Sequence, residues 1–259
     1  IVTKLDQLMP LVDEYAEAYD KLKKLDDGFN DKLKQSLLQY AMEGKLVKQD
    51  QNDEPASVLL EKIAEEKARL IREKKIKRTK KLPEVTDDEK PFEIPDSWEW
   101  VRLSEIGSWG AGATPSRSHP EYYGGNIPWL KTGDLNDGIV NETTETITED
   151  GVENSSVKIN KAGNVLIAMY GATIGKLGIA GKSMTTNQAC CGCDIFEGVY
   201  NWYLFYYLLA MRATLVSMGA GGAQPNISKT KIEHFPFPLP PLAEQKRIVA
   251  KLDQLTAAI

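Results

Sequence analysis

The sequence predicts an α+β protein: a globular mixed α/β domain attached to long, coiled-coil-like spacer helices. Three observations lead there. The chain opens on Ile1-Val2-Thr3-Lys4-Leu5-Asp6-Gln7-Leu8, and seven of those eight residues recur 247 positions later, from Ile248 to Leu255. Apolar residues then keep an alternating three-and-four spacing through Leu5, Leu8, Val12, Tyr15, Tyr19, Leu22, Phe29, Leu33, Leu37 and Tyr40. That spacing puts them on one stripe of a helix, as in a coiled-coil seam. From about residue 92 the texture changes to glycines, β-branched residues and short apolar runs, the pattern of strands and turns.

Taken in order, residues 1–45 form the first spacer helix. A helix over 2–43 is about 60 Å long at about 1.5 Å per residue. Only Asp26 breaks its stripe, and Gly44 stops it. Residues 46–91 hold a second helix and a charged linker. Pro55 suits a first helical turn, and Leu59, Leu60, Ile63, Leu70 and Ile71 supply an apolar face to about residue 76. From Lys67 to Lys81 nine residues are basic and only Glu73 is acidic. A phosphate-contacting patch is one reading. A solvated linker face is favoured, because Glu84, Asp87, Asp88 and Glu89 follow. Pro83 and Pro91 punctuate the linker. Residues 92–240 make the compact domain, with strands expected at 98–103, 127–131, 164–170, 177–180, 188–196 and 234–239 and a buried helix over 201–217. Residues 219–222 read as a mobile glycine-rich loop. Phe235-Pro236-Phe237-Pro238-Leu239-Pro240-Pro241 reads as a stiff extended connector that cannot be helical. Residues 241–259 begin a second spacer helix at Ala243 or Glu244. That second copy has placed only Val249, Leu252 and Leu255 on its stripe at the last residue. The chain therefore reads as a fragment or half-length form of a longer repeating protein.

Composition narrows the function. A net charge of −5 is spread over both halves: residues 1–90 carry 19 Lys and Arg against 20 Asp and Glu, and residues 91–259 carry 13 against 17. Neither half has the basic excess of a simple electrostatic DNA binder; a binder working beside a more basic partner stays open. No apolar run approaches the roughly 20 residues of a membrane span, and the acidic, helical N-terminus is unlike a leader, so a cytoplasmic protein is expected. Cys190, Cys191 and Cys193 resemble half a metal site. No second pair completes it, since His119 and His234 are the only histidines; reduced thiols along a strand are the better reading.

Searches for catalytic patterns fail. Gly181-Lys182-Ser183 resembles the end of a phosphate loop, but Lys176 stands where that loop needs a glycine. Gly110-x-Gly112 meets Pro115 where a dinucleotide fingerprint needs a third glycine. The Asp/Asn-Pro-Pro-Tyr/Phe motif of amino-methyltransferases is missing, and Pro95-Asp96 lacks a nuclease Glu-x-Lys at a suitable distance. The remaining signal is five polar, glycine-punctuated loops. They are 112–118, with Thr114, Ser116 and Arg117; 129–135, with Lys131; 170–176, with Tyr170, Thr173 and Lys176; 186–188, with Asn187 and Gln188; and 224–229, with Gln224, Asn226 and Lys229. These side chains pair with base edges and phosphates, and glycines let a backbone approach closely.

Together the loops resemble the specificity subunit of type I restriction-modification enzymes. The most specific parts are Ile94-Pro95-x-Ser97-Trp98-x-Trp100-Val101, Ile127-Pro128-Trp129-x-Lys131-x-Gly133-Asp134-Leu135, Gly171-Ala172-Thr173-Ile174-Gly175-Lys176, Asn187-Gln188, Gln224-Pro225-Asn226-Ile227-Ser228 and Leu239-Pro240-Pro241-Leu242-x-Glu244-Gln245. The resemblance implies a non-catalytic subunit in which residues 92–240 are a target recognition domain for double-stranded DNA. It implies methyltransferase and motor-nuclease partners, which bring S-adenosylmethionine, ATP and Mg chemistry; no cofactor is expected on this chain. A full subunit has two recognition domains and this chain has one. Its helical stripe from Leu5 to Leu37 then needs a partner, either a second copy or a methyltransferase subunit. The rival reading is a coiled-coil scaffold whose globular domain binds protein.

Overall fold

The computed structural model describes residues 2–219 and 226–258, with the backbone alone at 2–3, 5–7 and 24–27. The first helix, α1 (Val2–Met42), ends at Gly44. Gly44 adopts φ +70°, the left-handed conformation that suits glycine after a helix. A Cβ there would also lie on the Pro95 ring. The second helix, α2 (Ala56–Arg72), buries Ala56, Leu59 and Ile63, one face of helical spacing. Its first N–H donates to Ser97 O (3.1 Å) and ties it to the head of the domain.

The domain begins with β1 (Glu99–Arg102), the short helix α3 (Leu103–Ile106) and β2 (Gly107–Ala111). Next come β3 (Tyr123–Leu130), β4 (Ile139–Val140), β5 (Glu145–Ile147), α4 (Glu149–Glu153) and β6 (Ile159–Asn160). The core strands are β7 (Val165–Ala168), β8 (Leu177–Ala180), β9 (Met184–Thr186) and β10 (Cys190–Ile195). The chain finishes through α5 (Asn201–Ala210), α6 (Arg212–Gly219), α7 (Lys229–His234), β11 (Pro236–Leu239) and α8 (Leu242–Thr256). Among the described residues the strands form three sheets: β1-β11, β2-β10-β7-β8-β4 and β5-β3-β9-β6. The three cysteines lie in β10, between β2 and β7, free and buried. Burial pushes the Cys191 thiol up to about 12, so these thiols pack rather than react.

One expectation changes. The helix expected over 201–217 breaks at Met211 into α5 and α6; the break lets Arg212 reach across to Asp137 (2.5 Å). The strand expected at 234–239 forms within the proline-rich connector as β11, antiparallel to β1 with Trp100 opposite Pro238 and Arg102 opposite Pro236. Two-stranded pairing tolerates prolines because the second edge needs no ladder N–H. On that side Tyr203 and Tyr207 of α5 donate their hydroxyls to Pro238 O (3.1 Å) and Pro236 O (2.5 Å). Of the glycine-rich loop, Gly219 ends α6 and residues 220–222 lie outside the described residues.

One core joins domain and helices. Leu38, Ala41 and Met42 of α1, the buried face of α2, and Ile248, Val249 and Leu252 of α8 share it with Trp98, Tyr203, Tyr207 and Phe237. Trp98 is the joint: its indole N–H donates to buried Glu244 (2.9 Å), and that carboxylate also accepts from Gln49 (2.5 Å). Burial raises the Glu244 carboxyl above the usual carboxylate range, against hydrogen bonds from Trp98 and Gln49 that lower it. Towards its N-terminus α1 leaves this core. Leu33 is half-buried, Leu37 packs against the core, and Leu8, Val12, Tyr15, Tyr19, Leu22 and Phe29 are 47–71% exposed. The side chain of Leu5 lies outside the described residues.

Candidate nucleic-acid interface

Strand registers decide where the five loops go. Ala111 at the end of β2 pairs with Cys191, Cys190 pairs with Ala168 at the end of β7, and Ile167 pairs with Leu177 at the start of β8. Loops 112–118, 187–189 and 169–176 therefore leave the same end of the five-stranded sheet. Parallel pairing of β3 with β9 sets Leu130 beside Thr186, so loop 131–135 starts at that end too. Backbone bonds stitch the loops together: Asn187 N to Leu130 O (2.9 Å), Ala113 N to Thr186 O (3.0 Å) and Gly112 N to Cys190 O (3.0 Å). Gly112 is required there, because a Cβ would fall on Thr186 O. The fifth loop joins through a bridge between Tyr170 and Asn226 and through Ile227 N to Met169 O (2.8 Å). Segments scattered from Gly112 to Asn226 thus form one rim.

The rim is held by its own polar groups. Arg117 lies over Tyr123 (4.1 Å) and Trp129 (5.2 Å), a cation–π cage. Its guanidinium donates to Glu145 (2.8 Å), and Lys131 donates to the other oxygen of the same carboxylate (2.7 Å). The hydrogen bond from Lys131, then that from Arg117, holds the Glu145 carboxyl below its ordinary range. Trp129 donates its indole N–H to Ala113 O (3.0 Å), and Tyr123 its hydroxyl to Pro115 O (2.5 Å). Thr114 bonds Gln188, and Ser116 shares a hydrogen bond with Ser118 (2.7 Å). Lys176 reaches Leu135 O (3.3 Å), while Thr173 O accepts the Lys176 backbone N–H (2.9 Å). These contacts preset the loops before any ligand arrives, which lowers the ordering cost of binding.

Ten of the twelve interface residues expected from sequence lie at this rim. Gln224 lies outside the described residues. Lys229 sits in α7, pairs with Glu233 (2.5 Å) and lines a groove beside β2 instead. Sequence reading missed Glu145, which sits in a strand too short to notice. It also missed the Arg212–Asp137 pair (2.5 Å) behind loop 170–176. Among the described residues no cluster of His, Cys, Asp and Glu is placed to hold a metal ion, and no helix is long and apolar enough to cross a membrane.

A family model, the type I restriction modification DNA specificity domain, matches residues 95–259. The chain belongs to this family. The chain is 35% identical to the EcoAI specificity subunit of Escherichia coli, over 87% of this chain and 39% of that protein. It is 32% identical to the EcoEI specificity subunit of the same organism, over 86% of this chain and 40% of that protein. The chain thus spans about two fifths of these relatives. Its fold is similar to that of the HsdS subunit from Thermoanaerobacter tengcongensis, with TM-score 0.55 and 22% identity, over 99% of this chain and 50% of that one. A chain from a study of assembly and conformational transition in the type I R-M system gives TM-score 0.54 and 25% identity, over 78% of this chain and 50% of that one. The specificity domain's family match takes in the rim and the Trp98–Glu244 joint together.

Proposed function

We propose that this chain reads DNA sequence for a type I restriction-modification complex. Residues 92–240 are the target recognition domain and read one half of a bipartite duplex site. Residues 1–45 and 241–259 are spacer helices that set the gap between half-sites and dock methyltransferase subunits. Residues 46–91 link the two. The chain carries no catalysis. S-adenosylmethionine, ATP and Mg act on its methyltransferase and restriction partners, in the cytoplasm. The observation that carries this reading is the convergence of five separate polar loops on one preset rim.

The exposed stripe on α1 supports a second copy as its mate, joined through the long helices. Two recognition domains at opposite ends of helices of about 60 Å place half-sites on the order of one to two DNA turns apart, at about 34–36 Å per turn. The test is the methylation motif of the assembled system. Exchanging residues 92–240 for those of a relative changes one half of the split motif. A change in both halves, or in neither, overturns the modular reading. Inserting about four residues near position 26 adds about 6 Å of helix and lengthens the gap with both half-sites intact.

A further inference from the structure

The rim leaves the basic run from Lys67 to Lys81 without a role. The structure brings part of that run against the sheet. A groove of about 680 Å³ lies beside β2, with Lys67, Lys75 and Lys77 reaching it from α2 and the linker and Lys158 and Lys229 from the domain. Lys75 is offset by Glu73 (2.8 Å), Lys229 by Glu233 (2.5 Å), and the acidic Asp194 by Lys161 (2.8 Å). Lys67 donates only to a neutral carbonyl, Ser104 O (2.9 Å). Lys77 and Lys158 have no carboxylate partner among the described residues. Lys77 and Lys158 are therefore uncompensated, and Lys67 is opposed only at longer range by Glu105 and Glu233, in a chain whose net charge is −5.

The rest of the groove suits an anion with many oxygens. Gly107 and Gly110 of β2 and Gly192 of β10 line it without side chains. Gly110 leaves the space in which Lys158 lies, since a Cβ there would sit 3.2 Å from that side chain. Asn160 and Asn164 line it as well, 7% and 6% exposed. Neither amide makes a hydrogen bond to the protein among the described residues, so their donors are left for a ligand. Burial also lowers the Lys67 ammonium from its ordinary range, against the opposing charges of Glu105 and Glu233. Gly110 lines the groove, and Gly112, two residues later, opens the first loop of the rim.

We propose that this groove binds consecutive phosphates of the DNA backbone, as the duplex held at the rim continues along β2. Lysines act there as point charges on phosphate and carry no base preference. The site rests on the DNA-recognition reading above, and its test separates the two. Binding of the full chain to a random-sequence duplex and to the matching single strand is measured by fluorescence anisotropy across a salt series. Lys77 and Lys158 are exposed, so the K77A/K158A double variant folds. It lowers the slope of log affinity against log salt by about two with the duplex, and K77R/K158R restores it. An unchanged slope for K77A/K158A, beside a lowered slope for R117A, sinks the groove and leaves the rim standing. A loss seen only with the single strand overturns the continuous-duplex path. Absence of salt-dependent duplex binding by the wild type overturns groove and recognition reading alike.

Discussion

Glu145 is the residue at which the rim can be made to bind DNA more tightly. It occupies both Arg117 and Lys131, two cations of the proposed DNA interface. The side chains of the two pairs are 56% and 32%, and 37% and 32%, exposed. Pairs this open contribute about 0.2–1 kcal/mol each. A phosphate arriving at the rim has to displace both, at a cost of roughly 0.4–2 kcal/mol. Glu145→Gln removes the competing charge and returns that amount, about two- to thirty-fold in affinity. The gain is electrostatic, so it appears with a random-sequence duplex, grows at low salt and steepens the salt dependence. Anisotropy titrations of wild type and variant at several salt concentrations measure it. Equal or weaker binding by Glu145→Gln at low salt would show that neither cation meets DNA, and would remove Arg117 and Lys131 from the interface.

Three further outcomes follow from the packing. Gly44→Ala places a Cβ on the Pro95 ring at φ +70°, which costs about 2–4 kcal/mol; a urea melt matching wild type would refute the strain. Glu89 is paired with Arg102 (2.6 Å). Hydrogen bonds from Arg102, then from Thr86, hold its carboxyl at about 2, below its ordinary 4.5. A depressed carboxylate stabilises the fold above its unfolded pKa, and that contribution is lost as pH falls from about 4.5 towards 2. Discounted for the 36% exposure of Glu89, it is roughly 1–2 kcal/mol. Glu89→Gln should therefore destabilise the protein at pH 7 but hardly at pH 2, and an equal loss at both would contradict the assignment. The α1 stripe is tested by Tyr15→Glu with Leu22→Glu: sedimentation finds a dimer for wild type and a monomer for the variant, with unfolding of the domain unchanged. A monomeric wild type at micromolar concentration excludes self-association through α1.

Much of this was legible in the sequence because the features are local. Helical spacing marked α1 and α2, and apolar runs marked β7, β8 and β10. Strands β4, β5, β6 and β9 escaped because two or three residues carry no readable alternation. Glycines at 107 and 110 hid β2. Residue type alone flagged the rim loops, since glycine beside Arg, Asn or Gln has little packing use. Their stitching was not legible, because it lies between partners far apart in sequence: Arg117 with Glu145, Arg212 with Asp137, Tyr170 with Asn226. Lys229 lies off the rim for a related reason. It belongs to the same loop as Asn226 in sequence, but Ser228 caps α7 and turns the chain away.

The Trp98–Glu244 joint has a consequence for how such proteins are inherited. A recombination event that replaces 92–240 makes its first cut upstream of Trp98 and its second upstream of Glu244. The tryptophan arrives with the new segment, while the carboxylate and Gln49 stay with the resident helices. Both halves of the contact sit inside short sequence stretches flanking the cuts, Ile94–Val101 and Leu239–Gln245. A mosaic gene therefore closes its own seam whenever the incoming segment brings a tryptophan to position 98. The loops between the cuts are then free to diverge, because nothing in the joint depends on what they read.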